Sequence, residues 1–143
     1  EYELGLTEDL KPCGFRDKDV WFRGIADLII LDRENKLAWV VDYKTGKSVR
    51  YADKGQLELM ALAVFIHFPE IEEVRGGLLF VVCKQLITET YSYCDHQSSL
   101  IDKYTNKFRQ MIIASDSGVW NAKPSGLCRR HCDVVQCVHN GRN

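Results

Sequence analysis

The sequence predicts an α/β protein, a mixed central β-sheet flanked by helices, with a C-terminal tail stapled by a metal. Three observations predict it. Apolar runs of strand length recur along the chain. Two segments of helical apolar spacing follow the third and fifth of those runs. Three of the six cysteines crowd into residues 128–137, and clustered cysteines without a secretory signal suggest a metal more than a disulfide framework.

The elements follow in order. Residues 1–10 read as a weak strand. Residues 20–32 (VWFRGIADLIILD) read as one long apolar strand interrupted by Arg23 and Asp27. The polar turn 33–36 (RENK) leads into a strand over 37–44, so these two strands form a hairpin. Residues 45–55 make a polar loop carrying Gly46 and Gly55. Asp53 can cap a helix over 56–68, which Pro69 helps to end. Residues 75–82 and 86–93 read as two more strands. A helix over 98–117 turns Leu100, Ile101, Tyr104, Phe108, Met111 and Ile112 towards the core. From Trp120 onward the chain has little period of its own.

The 143 residues suffice for one domain with a real core, and 45% hydrophobic with 27% charged residues is ordinary for a globular chain. No apolar run reaches membrane-span length and no signal-peptide pattern is visible, so the expectation is a cytoplasmic protein with no membrane partner. The sequence opens on Glu1 and not Met, which leaves room for an upstream segment. A net charge of −1 excludes an overall positive field. A nucleic-acid partner would have to be held by local basic clusters: Lys44, Lys47, Arg50 and Lys54, or Arg129 and Arg130. Either cluster also reads as an ordinary solvated face.

The stretch AWVVDYKTGK (38–47) starts as a buried strand and then sets Asp42 and Lys44 two apart. A strand turns alternate side chains to one face, so these charges stand side by side, about 7 Å apart along the backbone. Asp27 lies in an apolar strand as well. In a hairpin the two acids could converge at one end of the sheet, where paired carboxylates are costly unless a cation sits between them. Such hard oxygen ligands suit Mg²⁺ or Mn²⁺. Taken alone, Asp27 could instead pair with Arg23, and Asp42 with Lys44 could be a solvated pair.

GIAD (24–27), then DYK (42–44), then QLELMALA (56–63), in this order and at these spacings, resembles the PD-(D/E)XK nuclease superfamily in its RecB-like exonuclease branch, similar to AddB-type and CRISPR-associated exonucleases. The resemblance spans roughly residues 21–82, with a further likeness in the tail. It implies a restriction-endonuclease-like core over 1–119 and a Cys/His-rich tail over 120–143 packed on it. It implies that Asp27, Asp42 and the backbone carbonyl of Tyr43 hold a catalytic Mg²⁺ or Mn²⁺. Lys44 would orient or deprotonate the attacking water, and Gln56 would position Lys44 or the substrate. Two departures stand out. The branch usually has Tyr four residues after its Gln, where this chain has Met60, and it usually has a helix before the first strand. Gln56 also reads as a plain polar residue in the first turn of a buried helix, where it would need partners.

The tail, LCRRHCDVVQCVHNGR, has the pattern C-x3-C-x4-C with His131 inside and His139 two beyond the last cysteine. Cys128, Cys132, Cys137 and His139 make a complete local set for a structural Zn²⁺. The resemblance offers a [4Fe–4S] cluster instead, held by three such cysteines and one upstream, here Cys13 or a residue before Glu1. The usual spacing there is C-x2-C-x5-C, so this chain keeps the span and moves the middle cysteine by one. Zinc comes first because its ligands are local; unligated thiols are the remaining reading. Asp95-His96 reads as a turn and cap. Cys83, Cys94 and all three tryptophans (Trp21, Trp39, Trp120) read as core.

The expected function is that of a metal-dependent DNA nuclease, an exonuclease leaving 5′-phosphates, with Arg129 and Arg130 turned to DNA. Repair, recombination, CRISPR adaptation and phage genome processing all suit it. One alternative is a non-catalytic nucleic-acid-binding module with a structural metal site. Another is an interaction domain without a nucleic-acid role, which would show no salt-sensitive DNA binding.

Overall fold

The computed structural model describes residues 1–141; positions 142 and 143 of the expected tail lie outside the described residues. Strand β1 (Tyr2–Thr7) pairs antiparallel with the short β2 (Pro12–Cys13) and with β3 (Val20–Ala26), giving a three-stranded sheet of order β2-β1-β3. At Asp27 the backbone bends, and β4 (Leu28–Asp32) enters a second sheet. The expected 20–32 strand is thus two strands in two sheets, and the single central sheet is two. The physical reason is the acid itself. The Asp27 carboxylate accepts the Tyr43 N–H at 2.7 Å, so a side chain takes over a backbone donor where the strand breaks.

The second sheet has the order β4-β5-β6-β7, with β5 (Leu37–Lys44), β6 (Glu73–Phe80) and β7 (Gln85–Ser92). β4 and β5 form the expected antiparallel hairpin. Its turn is tied by Asp32, whose carboxylate accepts the backbone N–H of Asn35 at 3.1 Å and its side-chain amide at 2.8 Å. The amide bond, followed by the backbone one, holds the Asp32 pKa below its ordinary value.

β5 and β6 run parallel, and a parallel pair needs a crossover. Helix α1 (Lys54–His67) supplies it. Asp53 caps it by accepting the Gly55 N–H at 2.9 Å, and it stops two residues before Pro69. Leu57, Ala61, Leu62, Val64 and Phe65 of α1 are buried in one core with Ala38 and Val40 of β5 and Val74 and Leu78 of β6. Gly76 makes the approach close, because a Cβ there would lie 3.1 Å from Cβ of Leu57. On the other face of this sheet Leu28, Ile30, Tyr43 and Leu86 are exposed.

Helix α2 (Tyr93–Ser117) starts five residues earlier than expected, so Asp95 stands in its first turn and Asp95-His96 is not a turn preceding a helix. Leu100, Tyr104 and Phe108 are buried, and Trp21 packs on Phe108 with ring centroids 4.0 Å apart. Met111, expected in the core, is 53% exposed, and Cys94 is exposed too. The chain divides into two compact units, Glu1–Phe108 and the residues from Arg109 onward. The buried stripe at 100, 104 and 108 ends with the first of them.

In the second unit Trp120 is 64% exposed, against the core placement its size suggested. A short helix α3 (Gly126–Arg130) forms where little period was legible. Ser125 accepts the Leu127 N–H, and the Cys128 sulfur accepts the Ser125 N–H at 3.4 Å. Asn140 is buried, and its amide donates to the carbonyls of Cys132 and Val134 at 3.1 and 2.9 Å. No helix among the described residues is long and apolar enough to cross a membrane.

Candidate active site

Period two along β5 places Ala38, Val40, Asp42 and Lys44 on one face. The first two are buried in the core; the last two reach the open end of the strand, with side chains 16% and 34% exposed. The first turn of α1 brings Gln56 above them, because α1 directly follows the β5 loop and packs on that same face.

These three side chains close a triangle. The Gln56 amide donates from Nε2 to Asp42 Oδ1 at 2.6 Å, and Lys44 Nζ donates to Gln56 Oε1 at 2.9 Å. Lys44 Nζ also lies 2.7 Å from Asp42 Oδ2. That contact is an ion pair lying off the hydrogen-bond direction, and Asp42 Oδ2 is buried with no hydrogen-bond partner. A buried carboxylate oxygen with an unfilled lone pair is a place that a hard cation completes.

Asp27 stands beside this triangle. Leu28 pairs with Val41 and Ile29 with Val40, so one further step along the hairpin brings Asp27 opposite Asp42. One oxygen of Asp27 takes the Tyr43 N–H, and a carboxylate has lone pairs left over. Arg23 does not neutralise Asp27. It donates from Nε to the Phe15 carbonyl at 2.7 Å. Two carboxylates fit Mg²⁺ or Mn²⁺, which keep waters and bind through one or two carboxylates plus a substrate phosphate. Among the described residues no three His, Cys, Asp or Glu side chains gather to hold a metal without that help.

A cleft of about 550 Å³ opens over Lys44 and Gln56, lined further by Thr45, Lys47, Ser48 and Asp53. Ser48 shapes its loop by accepting the Arg50 N–H at 3.2 Å, capping a 3-10 turn (Val49–Tyr51). Of the expected basic cluster, Lys47 lines the cleft, Arg50 stands in the 3-10 turn, and Lys54 is ion-paired with Glu89.

Tyr104 bears on the site and was legible only as a core position. Its hydroxyl lies 3.0 Å from the Gly55 carbonyl and 3.2 Å from the Glu58 carboxylate, the two acceptors of its one proton, so it holds the turn that carries Gln56. Burial, then the Glu58 charge, pushes its pKa up. Helical spacing gave it a face but could not name its hydrogen-bond partners.

In the tail, Cys128, Cys132, Cys137 and His139 are not gathered as ligands, and the three cysteines are half-buried and outside any disulfide. Arg129 and Arg130 fall in the last turn of α3.

A profile described as the PD-(D/E)XK nuclease superfamily matches residues 1–137. The chain belongs to this superfamily, and with it to the hydrolases that act on nucleic acids. No curated protein and no solved structure matches the chain.

Proposed function

We propose that this chain is a Mg²⁺- or Mn²⁺-dependent deoxyribonuclease of the RecB-like branch, working as an exonuclease and leaving 5′-phosphates. The observation that carries this reading is the Asp42–Lys44–Gln56 triangle beside Asp27, with one buried Asp42 oxygen lacking a donor. Asp27, Asp42 and the Tyr43 carbonyl would hold the ion. A divalent ion bound there would acidify a water and neutralise charge on the phosphate. An ammonium has three donors. One of them bonds Gln56 while the charge pairs with Asp42, which leaves donors for the attacking water or a phosphate oxygen. Gln56 keeps Asp42 and Lys44 in register. Lys47, Arg50 and Lys54 on one side, and Arg129 and Arg130 in the tail, take backbone phosphates.

In this reading the nuclease core spans 1–119 and the Cys/His-rich tail 120–143. The tail takes Zn²⁺ on Cys128, Cys132, Cys137 and His139, or a [4Fe–4S] cluster as the alternative. Either metal would have to draw its ligands together on binding, coupling the metal to the tail's fold. Six cysteines outside any disulfide suit a reducing, cytoplasmic setting.

Purified protein with Mg²⁺ or Mn²⁺ should degrade labelled DNA, and Asp42→Ala or Lys44→Ala should abolish the degradation. Undiminished cleavage by both variants rejects the assignment. Elemental assay and absorbance near 400 nm separate zinc from iron–sulfur in the tail.

One observation favours a second reading, a non-catalytic nucleic-acid-binding module. The Lys44 ammonium already balances the Asp42 charge without a metal. That module would bind DNA equally well after chelation and with Asp42→Ala.

A further inference from the structure

Gln56 lines two clefts. One is the polar cleft over Lys44. The other, about 200 Å³, lies between β3 and α1 and is lined by Phe22, Arg23, Gly24, Ile25, Leu59 and Met60. We propose that this second cleft receives a nucleobase of the strand whose phosphate lies over Lys44. The proposal rests on the nucleic-acid reading above and deepens it, since it makes the substrate a strand with an unpaired, unstacked nucleotide beside the cut.

Three features argue for a base. The first is an apolar lining: Met60 is buried, while Phe22 and Leu59 are half-buried and pack against the core. A flat aromatic ring gains from such surfaces whatever its identity. The second is an open backbone edge. β3 pairs with β1 on one side only, so its other edge carries peptide N–H and C=O groups that no strand takes up. A base is an apolar plate with donors and acceptors on its rim, and the β3 residues that line the cleft, Phe22 to Ile25, belong to this edge strand. The third is an apolar wall that closes directly on the backbone of Gly24. A Cβ at Gly24 would stand 2.8 Å from the Met60 sulfur and 3.0 Å from the Phe22 ring, so any side chain there would displace the lining. Ile25 beside it is an apolar residue left 45% exposed.

Continuity with the active site decides the occupant. Gln56 is common to both clefts, so a nucleotide whose phosphate meets Lys44 has its base within reach of β3. A base can enter only if it has left its stack, which is least costly at a single strand or a frayed end.

The test uses the full chain carrying Asp42→Ala, so that bound DNA is not cut. Its binding to a labelled single-stranded oligonucleotide is compared with oligonucleotides carrying one abasic position, moved along the strand. One abasic position should weaken binding on the order of 10-fold. Leu59→Ala, and separately Ile25→Ser at its exposed site, should erase that difference while keeping the salt dependence. Equal binding at every abasic position, or no binding at all, overturns the proposal; DNA cleavage by the unsubstituted chain would still uphold the nuclease reading. An abasic penalty in a chain that cuts no DNA leaves the base site standing and removes the catalytic reading.

Discussion

Gln56 has no charge and no chemistry of its own, yet it touches both charged members of the site. It donates to Asp42 and accepts from Lys44, which fixes the orientation of an acid and a base that already meet at 2.7 Å. Replacing it with Leu keeps the helix and removes both bonds. Residues that orient metal ligands typically cost 10–100-fold when lost. Gln56→Leu should therefore lower DNA cleavage by about 10–100-fold and weaken Mn²⁺ binding in a direct titration, with the thermal midpoint nearly unchanged. Loss of stability without loss of metal affinity would assign Gln56 to packing instead.

At the scale of elements, α1 is the part on which the site depends, and its first turn is held from two directions. Asp53 caps it within the chain, and Tyr104 reaches it from α2. Ala at position 53 removes the cap and should cost about 1 kcal/mol, read as a lower urea midpoint with faster amide exchange at residues 54–57. The same region predicts an alkaline limit. Burial, then the Glu58 and Glu89 charges, pushes the Tyr91 hydroxyl up to about 12 from an ordinary 10. The folded chain holds this proton more tightly than the unfolded one does. The associated stability is whole below pH 10 and drains as the pH rises through about 12. Urea midpoints measured upward from pH 8 should begin to fall near pH 10, and Tyr91→Phe should flatten that decline.

The whole molecule carries a net charge of −1, so attraction to a polyanion must come from where its cations sit. Lys47 lines the cleft beside Lys44, whereas Lys54 is engaged by Glu89. Lys47→Ala should weaken DNA binding at every sequence and reduce the slope of log affinity against log salt by about one. Lys54→Ala should change that slope less. Equal slopes for Lys47→Ala and the unsubstituted chain would place the phosphate path elsewhere.

Local pattern determined a good deal by itself. Alternation along residues 38–44 put Asp42 and Lys44 on the face of the buried Ala38 and Val40, because a strand has no other way to orient them. Apolar density and a capping Asp53 marked α1 to within two residues of its start. The order of GIAD, DYK and the Gln agreed with the superfamily whose profile matches residues 1–137. Tertiary structure decided the rest. The split of the 20–32 strand at Asp27 depends on a donor sixteen residues away, Tyr43 N–H, which no local period contains. The triangle exists only once α1 has docked, and Tyr104 reaches Gly55 across 49 positions of sequence. Trp120 and Met111 looked like core by size and spacing, but burial needs a facing surface, and only the folded chain says where one is. Side-chain direction is a property of the local backbone, whereas contact is a property of what the rest of the chain brings to it.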